Sequence, residues 1–468
     1  MKTLSCCIWS GAWLIALTTL SPLPLRALDL SAKIEPLAKP LVEDGTAVGF
    51  VVGVVRDGET QTLGFGETAK GSGTKPDLDT AYEIGSVSKV FTGLLLADAV
   101  ERGLLKLDDP VQKYLLDDVK LPIADGKPIT LEHLATHTSG LPRMPSNFKP
   151  ANPMNPYADY TVAQLHEFLS GHKLRRPPGE HEYSNLAMGL LGQVLARQAG
   201  CSYEELLNKR ITGPLGMTDT RITLDDALRK RLAAPYNASL KPEQNWDLNT
   251  LAGAGGIRST VRDMLKFAQA NLDDAQPLAA AMRLARTKRH DMPGGRAIGL
   301  SWMRAGDGMT WWHSGMTGGY HAWLAVTPDL KLGTVVLSNT ATPKVSELGE
   351  QITQVAAGLD VKPKARLKAI DVDRAVLATY VGRYELAPSF ILTVTLEDGG
   401  LMVQATGQGK APIFASSQTE FFYKIVDAQI TFVPGPAEKD AAGKAKPTTA
   451  AKLILHQGGM SREAPRKE

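Results

Sequence analysis

The stretch Tyr82-Glu83-Ile84-Gly85-Ser86-Val87-Ser88-Lys89 is followed at once by a long apolar segment, residues 90–100. This order predicts a loop that delivers Ser86 to the first turn of a buried helix. Residues three apart on a helix share a face, so the Lys89 amine lies within reach of the Ser86 hydroxyl. A serine becomes a good nucleophile when a neighbouring base takes its proton. About one Ser-x-x-Lys match is expected by chance in such a chain, so the prediction of a nucleophile depends on further motifs.

The composition is that of an ordinary globular protein, long enough for roughly two or three domains. The chain has 468 residues, of which 43% are hydrophobic and 22% charged, and its formal net charge is +3. The basic residues are scattered, which argues against a nucleic-acid partner. No metal or cofactor is expected, because the nine histidines form no His-x-His pair and no recognisable metal-binding motif. The glycine-rich residues 252–256 match no nucleotide-binding fingerprint, and close backbone packing is predicted there.

Residues 1–27 have the pattern of a secretory signal: a positive start, an apolar stretch at 6–20, and a cleavage site expected after Ala27. The apolar part is too short for a comfortable membrane span, so we expect removal rather than anchoring and no stable span. A secreted, periplasmic protein is predicted. Only Cys201 then remains, which excludes an internal disulfide and is interpreted as a packing residue. The oligomeric state is left open.

Residues 28–358 carry strand patterns at both ends and helix patterns between them. The turn at Asp57-Gly58 predicts a β-hairpin. Strands are predicted at 48–55, 61–66, 298–303, 310–313, 320–327 and 332–339, and terminal helices at 28–46 and 344–358. This order predicts an α+β unit, with one antiparallel sheet made from both ends, covered by the terminal helices, beside an α-rich lobe. The functional site is expected in the cleft between them, with the proline-rich residues 142–160 as one wall.

The chain changes character after residue 358. Residues 359–370 are rich in lysine and proline and are interpreted as a linker. Residues 371–468 contain several short alternating segments separated by turns, which predict a small C-terminal β-barrel or sandwich domain. Its role is not predicted.

Two downstream motifs join Ser86: Tyr183-Ser184-Asn185, where a proline-broken loop meets a helix, and His313-Ser314-Gly315, at the end of a predicted strand. In this order the three motifs resemble the serine β-lactamase and penicillin-binding-protein superfamily, above all the class C β-lactamases and their D,D-peptidase and esterase relatives. Residues 134–142, 177–179 and 214–217 also resemble the family. The likeness covers about residues 30–358 and implies a β-lactamase/transpeptidase-like fold for that unit.

The resemblance implies a role for each motif residue. Ser86 attacks a carbonyl carbon and becomes acylated. Lys89 and Tyr183 share the general-base work, either of them taking the proton, and the Lys89 charge is expected to hold Tyr183 near an anionic state. Asn185 is expected to hold Lys89 and the substrate amide by hydrogen bonds. The main-chain N–H groups of Ser86 and Met316 form the oxyanion hole.

His313, Ser314 and Gly315 belong to the strand that binds substrate in this superfamily. His313 stands where class C β-lactamases usually carry the lysine of Lys-Thr-Gly, and His-x-Gly is common in D,D-peptidases, D-aminopeptidases and esterases. The first hypothesis is an exported class C-type β-lactamase that opens β-lactam amides through a Ser86 acyl-enzyme, which water hydrolyses. The alternative is a D,D-carboxypeptidase, D-aminopeptidase or esterase acting on cell-wall peptides or small esters. A non-catalytic binding protein is disfavoured, because every reactive position is filled. All the catalytic hypotheses imply a small-molecule substrate.

Overall fold

The computed structural model of the protein describes residues 28–363, 367–397, 400–436 and 448–467. The predicted secretory signal lies outside the described residues. Among the described residues, no helix combines the length and the apolar character that crossing a membrane requires.

The predicted hairpin is confirmed. Strands β1, Gly49–Arg56, and β2, Glu59–Gly66, pair in antiparallel fashion around Asp57 and Gly58. These two residues have φ values of +50° and +87°. A two-residue turn with positive φ at both positions matches the right-handed twist of the flanking strands.

The main sheet is antiparallel and combines strands from both ends of the first unit, as predicted. The remaining strands of this unit are β3 Ala81–Glu83, β4 Tyr236–Asn237, β5 Arg258–Thr260, β6 His290–Asp291, β7 Ala297–Ile298, β8 Met303–Arg304, β9 Trp311–Met316, β10 His321–Thr327, β11 Leu332–Ser338 and β12 Thr340–Ala341. Within the described residues the main sheet has eight strands, in the order β2-β1-β11-β10-β9-β8-β7-β6. Small separate sheets pair β3 with β5 and β4 with β12.

One strand prediction is wrong. Residues 298–303 were expected to form a single strand, but they are divided between β7 and β8 by a tight turn. The Gly299 nitrogen donates to the Trp302 carbonyl at 2.8 Å, and Ser301 has a φ of +66°. At this turn the Ser301 nitrogen donates to the distant Ala135 carbonyl at 2.9 Å, and the Trp302 side chain is buried in the core, so tertiary contacts stabilise the break.

Helices cover both faces of the sheet. The two predicted terminal helices are confirmed as α1 Ser31–Glu43 and α10 Lys344–Ala356. They pack on one face of the sheet, where the apolar side chains Ile34, Leu37 and Leu41 of α1 are buried. The opposite face and the α-rich lobe hold α2 Ser88–Glu101, α3 Leu131–Ala135, α4 Val162–Gly171, α5 Asn185–Ala199, α6 Tyr203–Leu207, α7 Asp226–Arg231, α8 Val261–Ala270 and α9 Ala279–Ala285. Short non-α turns occur at Gly85–Val87, Val111–Tyr114, Asn208–Thr212, Asn249–Ala254 and Pro328–Leu330.

Helix α2 is the centre of the larger core. Its residues from Ser88 to Asp98 are all buried, as the apolar stretch after Ser86 predicts. The glycine-rich segment packs against α5 so closely that a Cβ on Gly253 would lie 3.1 Å from the Gly192 Cα. The predicted close backbone packing is therefore confirmed, and it brings this segment to the start of α2.

The C-terminal residues form the predicted small β domain, a nearly closed barrel. Its elements are α11 Arg374–Ala378, β13 Gly382–Ala387, β14 Phe390–Glu397, β15 Gly400–Ala405, β16 Lys410–Pro412, β17 Phe414–Ala415, β18 Glu420–Phe422, β19 Ala428–Pro434, β20 Ala450–Gln457 and β21 Met460–Lys467. The sheet begins with β16 and ends with β17, yet only Ile413 separates these strands in the chain. The sheet must therefore curl round. Its core, which includes Tyr384, Phe421 and Phe432, is separate from those of the first unit.

Candidate active site

Ser86 lies on a tight 3₁₀ turn that leads directly into α2, rather than within the helix itself. Gly85 has a φ of +49°, and a Cβ there would lie 2.7 Å from the Met316 nitrogen. A Cβ on Gly315 would lie 1.9 Å from the Ile84 carbonyl oxygen and 2.8 Å from the Ser86 nitrogen. The two glycines therefore let β9 contact the Ser86 turn. The contact puts the main-chain nitrogens of Ser86 and Met316 near each other, as an oxyanion hole requires.

The structure brings Lys89 to Ser86. The Lys89 Nζ lies 2.9 Å from the Ser86 Oγ and donates a second hydrogen bond to the Ala254 carbonyl at 2.6 Å. The side chain is completely buried, and no carboxylate pairs with it in the described part of the chain. Burial lowers the pKa of the Lys89 amine well below its usual value, and the charge of Arg143 lowers it further. The amine is thereby suited to accept a proton.

Tyr183 also contacts this pair. The Lys89 Nζ lies 4.9 Å from the centre of the Tyr183 ring. Burial raises the pKa of the Tyr183 hydroxyl to about 12, although the neighbouring Ser86 hydroxyl and the Arg143 charge act in the opposite direction. Tyr183 therefore keeps its proton at neutral pH, which contradicts the expected near-anionic state. The physical reason is that desolvation opposes the phenolate, while the buried Lys89 is itself poorly charged.

Asn185 begins α5, which Ser184 caps by accepting from the Ala187 nitrogen at 2.9 Å. The expected hydrogen bond between Asn185 and Lys89 is not formed, because Lys89 donates to Ser86 and to a carbonyl of the glycine-rich segment instead. The Asn185 Nδ2 donates to the Tyr157 hydroxyl at 3.4 Å. Its Oδ1 is buried without a hydrogen-bond partner within the described residues. This oxygen is an acceptor that a substrate amide N–H can satisfy.

His313 is buried on β9, with 4% of its surface exposed. Its Nδ1 lies 2.6 Å from the Ser314 carbonyl oxygen, so Nδ1 carries the proton in the neutral ring. Burial lowers the pKa of His313 to about 3, and the nearby Lys89 contributes to the decrease. At neutral pH this side chain therefore has no positive charge to offer a substrate carboxylate.

The other predicted residues of β9 are divided between the two faces of the strand. Side chains alternate along a strand, and the buried positions His313 and Gly315 share the face that meets the Ser86 turn. Ser314 and Met316 lie on the opposite face by the same alternation, and the Met316 side chain is 52% exposed. The structure therefore brings the main chain of these two residues to the site, but not their side chains.

His137 is a residue of the site that the sequence did not single out. Its ring lies 4.5 Å from that of Tyr183, and its Nδ1 accepts from the Ser184 nitrogen at 3.2 Å. The residue is fully buried and has a φ of +58°. Burial lowers its pKa well below the usual histidine value, with Lys89 and His313 adding to the effect. His137 therefore packs against the Tyr183 ring as a neutral side chain. His137 lies within residues 134–142, which resemble the family, and this position is the sequence signal that could have identified it.

Glu83, inside the opening motif, fixes a neighbouring segment. Its carboxylate accepts from the Trp246 nitrogen at 2.9 Å and from the Asn245 Nδ2 at 3.1 Å, and the buried Arg258 lies 3.4 Å away. Trp246 then packs so close to the turn between β9 and β10 that a Cβ on Gly318 would lie 2.8 Å from the indole Nε1. Glu83 therefore positions a wall of the site rather than the nucleophile.

The proline-rich residues 142–160 complete that wall. The ring of Tyr157 lies 5.3 Å from that of Trp246 and 5.1 Å from that of Phe148. Arg143, in the same segment, is exposed, and its guanidinium carbon lies 5.2 Å from the centre of the Tyr183 ring. Nothing in the spacing of these residues predicts their contacts with Asn185 and Tyr183. The complete arrangement has the parts for acyl transfer: a nucleophile, a buried amine base, a phenol and two main-chain donors.

Comparison with known proteins identifies the first unit. A model of the β-lactamase family matches residues 34–357. The chain belongs to the β-lactamase family. Family membership together with the contact between Ser86 and Lys89 makes it a serine hydrolase of the β-lactamase and penicillin-binding-protein superfamily. Residues 367–446 match a domain of unknown function, DUF3471.

The relatives of this family member include enzymes of more than one activity. D-alanyl-D-alanine-carboxypeptidase/endopeptidase AmpH of Escherichia coli (strain K12) is 32% identical over 335 residues, covering 67% of this chain and 85% of AmpH. A β-lactamase of the same organism is 29% identical over 346 residues, covering 65% of this chain and 87% of that protein. The structure of a β-lactamase/D-alanine carboxypeptidase from Yersinia pestis superimposes with a TM-score of 0.63 at 29% identity, covering 70% of this chain and 97% of the other.

Proposed function

We propose that this β-lactamase-family protein is a D,D-peptidase that hydrolyses the terminal amide of D-alanyl-D-alanine peptides through a Ser86 acyl-enzyme. The observation that carries the proposal is the Ser86 pair with the buried Lys89, 2.9 Å apart, beside a neutral His313. The pair supports acyl transfer, and the histidine argues against the lysine-dependent binding expected in class C β-lactamases. The 32% identity with the carboxypeptidase AmpH supports the same substrate class.

In the acylation step the Ser86 Oγ attacks the scissile carbonyl carbon while its proton passes to the Lys89 Nζ. The lowered pKa of Lys89 makes the amine available as base. The main-chain N–H groups of Ser86 and Met316 stabilise the oxyanion. As the C–N bond breaks, the proton on Lys89 passes to the leaving nitrogen, with the protonated Tyr183 hydroxyl as the relay. In this mechanism Lys89 is the general base, and Tyr183 relays the proton to the leaving nitrogen.

In the deacylation step a water molecule attacks the Ser86 ester and gives its proton to Lys89, which returns a proton to the Ser86 Oγ as the ester bond breaks. The Asn185 Oδ1, which has no hydrogen-bond partner within the described residues, accepts a hydrogen bond from the amide N–H on the acyl side of the substrate in both steps. The product is a peptide shortened by one residue, and the enzyme regains its initial protonation state.

The second candidate is the class C-type β-lactamase activity of the first hypothesis. The Tyr183 hydroxyl beside Ser86 favours it, because a group in that place is able to guide the deacylating water. The 29% identity with an Escherichia coli β-lactamase supports the same view. The two candidates share acylation and differ in how fast water releases a β-lactam acyl group.

A steady-state comparison of three substrates tests the proposal: a D-Ala-D-Ala peptide, a chromogenic cephalosporin and a short-chain nitrophenyl ester. For a D,D-peptidase the D-Ala-D-Ala peptide should have the highest kcat/KM of the three, with release of D-alanine. In a separate incubation with penicillin, a D,D-peptidase should retain the covalent label on Ser86. The Ser86→Ala variant is the control and should lose at least about four orders of magnitude, as nucleophile variants typically do. Rapid cephalosporin turnover without a persistent label, or turnover of the ester alone, contradicts the peptidase assignment. No turnover and no label would refute serine hydrolysis.

We also propose that the protein acts after export, in the periplasm, on the basis of the pattern in residues 1–27. Expression of the whole chain in a Gram-negative host followed by N-terminal sequencing tests this. Release of a protein that begins at Leu28 is expected, and an intact Met1 in the cytosolic fraction contradicts it.

A further inference from the structure

We propose that Arg143 is a substrate-binding residue that takes an anionic group of the substrate, a carboxylate, in the wall formed by residues 142–160. The inference rests on the proposed function and deepens it, because it names what selects the peptide that Ser86 attacks.

The first observation is that Arg143 is an exposed cation at the site without an anion. Its guanidinium carbon lies 5.2 Å from the centre of the Tyr183 ring, and no carboxylate lies within ion-pair distance of it in the described part of the chain. By contrast, Arg176, farther along the chain, forms ion pairs with both Glu180 and Glu182. Arg143 thus keeps the donors of its guanidinium available for a ligand.

The second observation is that the main chain of Arg143 is fixed to the catalytic motif. Its carbonyl oxygen accepts from the Asn185 nitrogen at 3.0 Å and from the Leu186 nitrogen at 3.2 Å. The adjacent Pro142 carbonyl accepts from the Ser184 Oγ at 2.7 Å. The Arg143 Cα is therefore held at a constant place relative to Asn185, while its side chain remains free to reach a ligand.

The third observation concerns charge. The Arg143 charge helps to lower the pKa of Lys89 and opposes the burial that raises the pKa of Tyr183, so its field reaches the reacting groups. His313, at the position of the usual lysine, is neutral because burial lowers its pKa to about 3. A substrate carboxylate that enters the site meets a buried amine reserved for proton transfer and an exposed guanidinium. A guanidinium binds carboxylates in a two-pronged geometry, which suits recognition.

A peptide offers two sources of this carboxylate: the terminal group of the leaving D-alanine, and an acidic side chain on the acyl side of the scissile bond. Three matched peptides distinguish them. The first ends in D-Ala-D-Ala with a free terminal carboxylate and carries an acidic residue on the acyl side. The second has its terminal carboxylate amidated, and the third has its acidic residue replaced by the corresponding amide.

The test measures kcat and KM for Arg143→Gln and Arg143→Lys with the three peptides. For the first peptide Arg143→Gln should lower kcat/KM by about 10- to 100-fold, mainly through KM, as the loss of a charged hydrogen bond implies. The peptide that lacks the relevant carboxylate should lose less than about threefold, since its partner is already missing. Arg143→Lys should recover part of the loss, because lysine restores the positive charge but lacks the planar guanidinium that binds a carboxylate through two parallel hydrogen bonds.

The control is Arg197→Gln, an exposed arginine on the same helix as Asn185 but about 18 Å farther along its axis. It should leave all three peptides unaffected. Equal losses of Arg143→Gln on all peptides, or a loss in kcat alone, overturn the inference while the proposed peptidase activity stands. Absence of turnover by the wild type with every peptide refutes the proposed function itself, and the two failures are thereby distinguished.

Discussion

The two walls of the site are built in opposite ways. The Ser86 wall consists of Ser86, Lys89, His313 and Gly315, and its two ionisable side chains, Lys89 and His313, are buried. The substrate wall consists of residues 142–160 and 245–247, where aromatic rings pack on each other and Arg143 is exposed. The first wall holds groups whose ionisation is shifted by burial, whereas the second holds a charge in contact with solvent. From this contrast we expect the Ser86 wall to determine the rate of acyl transfer and the substrate wall to determine which substrate binds.

The largest expected effect comes from Lys89→Met, which removes the amine from the Ser86 wall but keeps an apolar side chain of similar length. Loss of the base should reduce kcat/KM by about 10²- to 10⁴-fold. The free energy of unfolding should change little, because the buried amine is lost together with its desolvation cost while the Ala254 carbonyl loses one donor. Steady-state kinetics and urea unfolding measure the two quantities.

Lys106→Met is the matched control, since Lys106 is exposed. It should change neither quantity beyond experimental error. If Lys89→Met kept most of the activity, Tyr183 rather than Lys89 would be the base, and the protonated state assigned to the phenol would be wrong.

The next effect tests the contact between β9 and the Ser86 turn. In Gly315→Ala the new Cβ would lie 1.9 Å from the Ile84 carbonyl oxygen, so the strand must shift away. Displacing one oxyanion donor should cost about 3–4 kcal/mol of transition-state stabilisation, or about 10²- to 10³-fold in kcat. Overpacking should also destabilise the fold by about 1–3 kcal/mol.

Gly171→Ala, at the end of α4, provides the comparison, because a Cβ there meets no atom within 4 Å. Kinetics with a saturating peptide and thermal unfolding should leave this variant close to the wild type. A Gly315→Ala enzyme with normal kcat would show that the Met316 and Ser86 nitrogens do not form the oxyanion hole.

Much of the Ser86 wall could be predicted from the sequence, because its elements are local. The three-residue spacing of Ser86 and Lys89 and the apolar stretch after them are enough to predict the helix and the pair. The ionisation of Tyr183 could not be predicted in the same way. Its pKa of about 12 results from burial, which depends on how distant segments pack around it.

The substrate wall was predicted only in outline. Its location at residues 142–160 follows from the length and composition of the loop, but the contacts of Arg143 and Tyr157 with the Tyr183 motif join segments about 30 to 40 positions apart. The same is true of Ala254, which accepts from Lys89 across 165 positions. Such contacts are set by tertiary packing and leave no periodic pattern. The break between β7 and β8 was missed for a related reason, since the Ser301 turn is stabilised by the distant Ala135.

A smaller effect concerns stability in acid. His313 is neutral in the fold, whereas in the unfolded chain an imidazole takes a proton below pH about 6.5. Its contribution is therefore fully present above that pH and is lost as the pH falls towards the folded pKa of about 3. His313→Asn should reduce the slope of the unfolding free energy by up to about 1.4 kcal/mol per pH unit within this window. Urea unfolding at several pH values between 4 and 7 measures the slope.

His321→Asn makes this test specific to the site. Burial lowers the pKa of His321 to about 4, and its Nε2 contacts the Ser346 hydroxyl rather than any group of the Ser86 wall. Both variants should therefore flatten the acid slope, but only His313→Asn should alter kcat/KM. Unchanged slopes in both would mean that these rings take up a proton in the fold as readily as in the unfolded chain.

The smallest effect is expected for Tyr157→Phe in the substrate wall. The change removes the oxygen that accepts from the Asn185 Nδ2 at 3.4 Å but keeps the ring against Trp246. A long hydrogen bond of this kind contributes about 0.5–1 kcal/mol, so kcat/KM for the peptide should fall about two- to fivefold, mainly through KM, as Asn185 loses its preferred orientation. Tyr160→Phe loses a hydroxyl that contacts Asn147 instead, and should leave KM unchanged. Equal effects of the two variants would assign the loss to the packing of the loop, whereas a KM increase confined to Tyr157→Phe would show that the substrate wall selects substrate through Asn185.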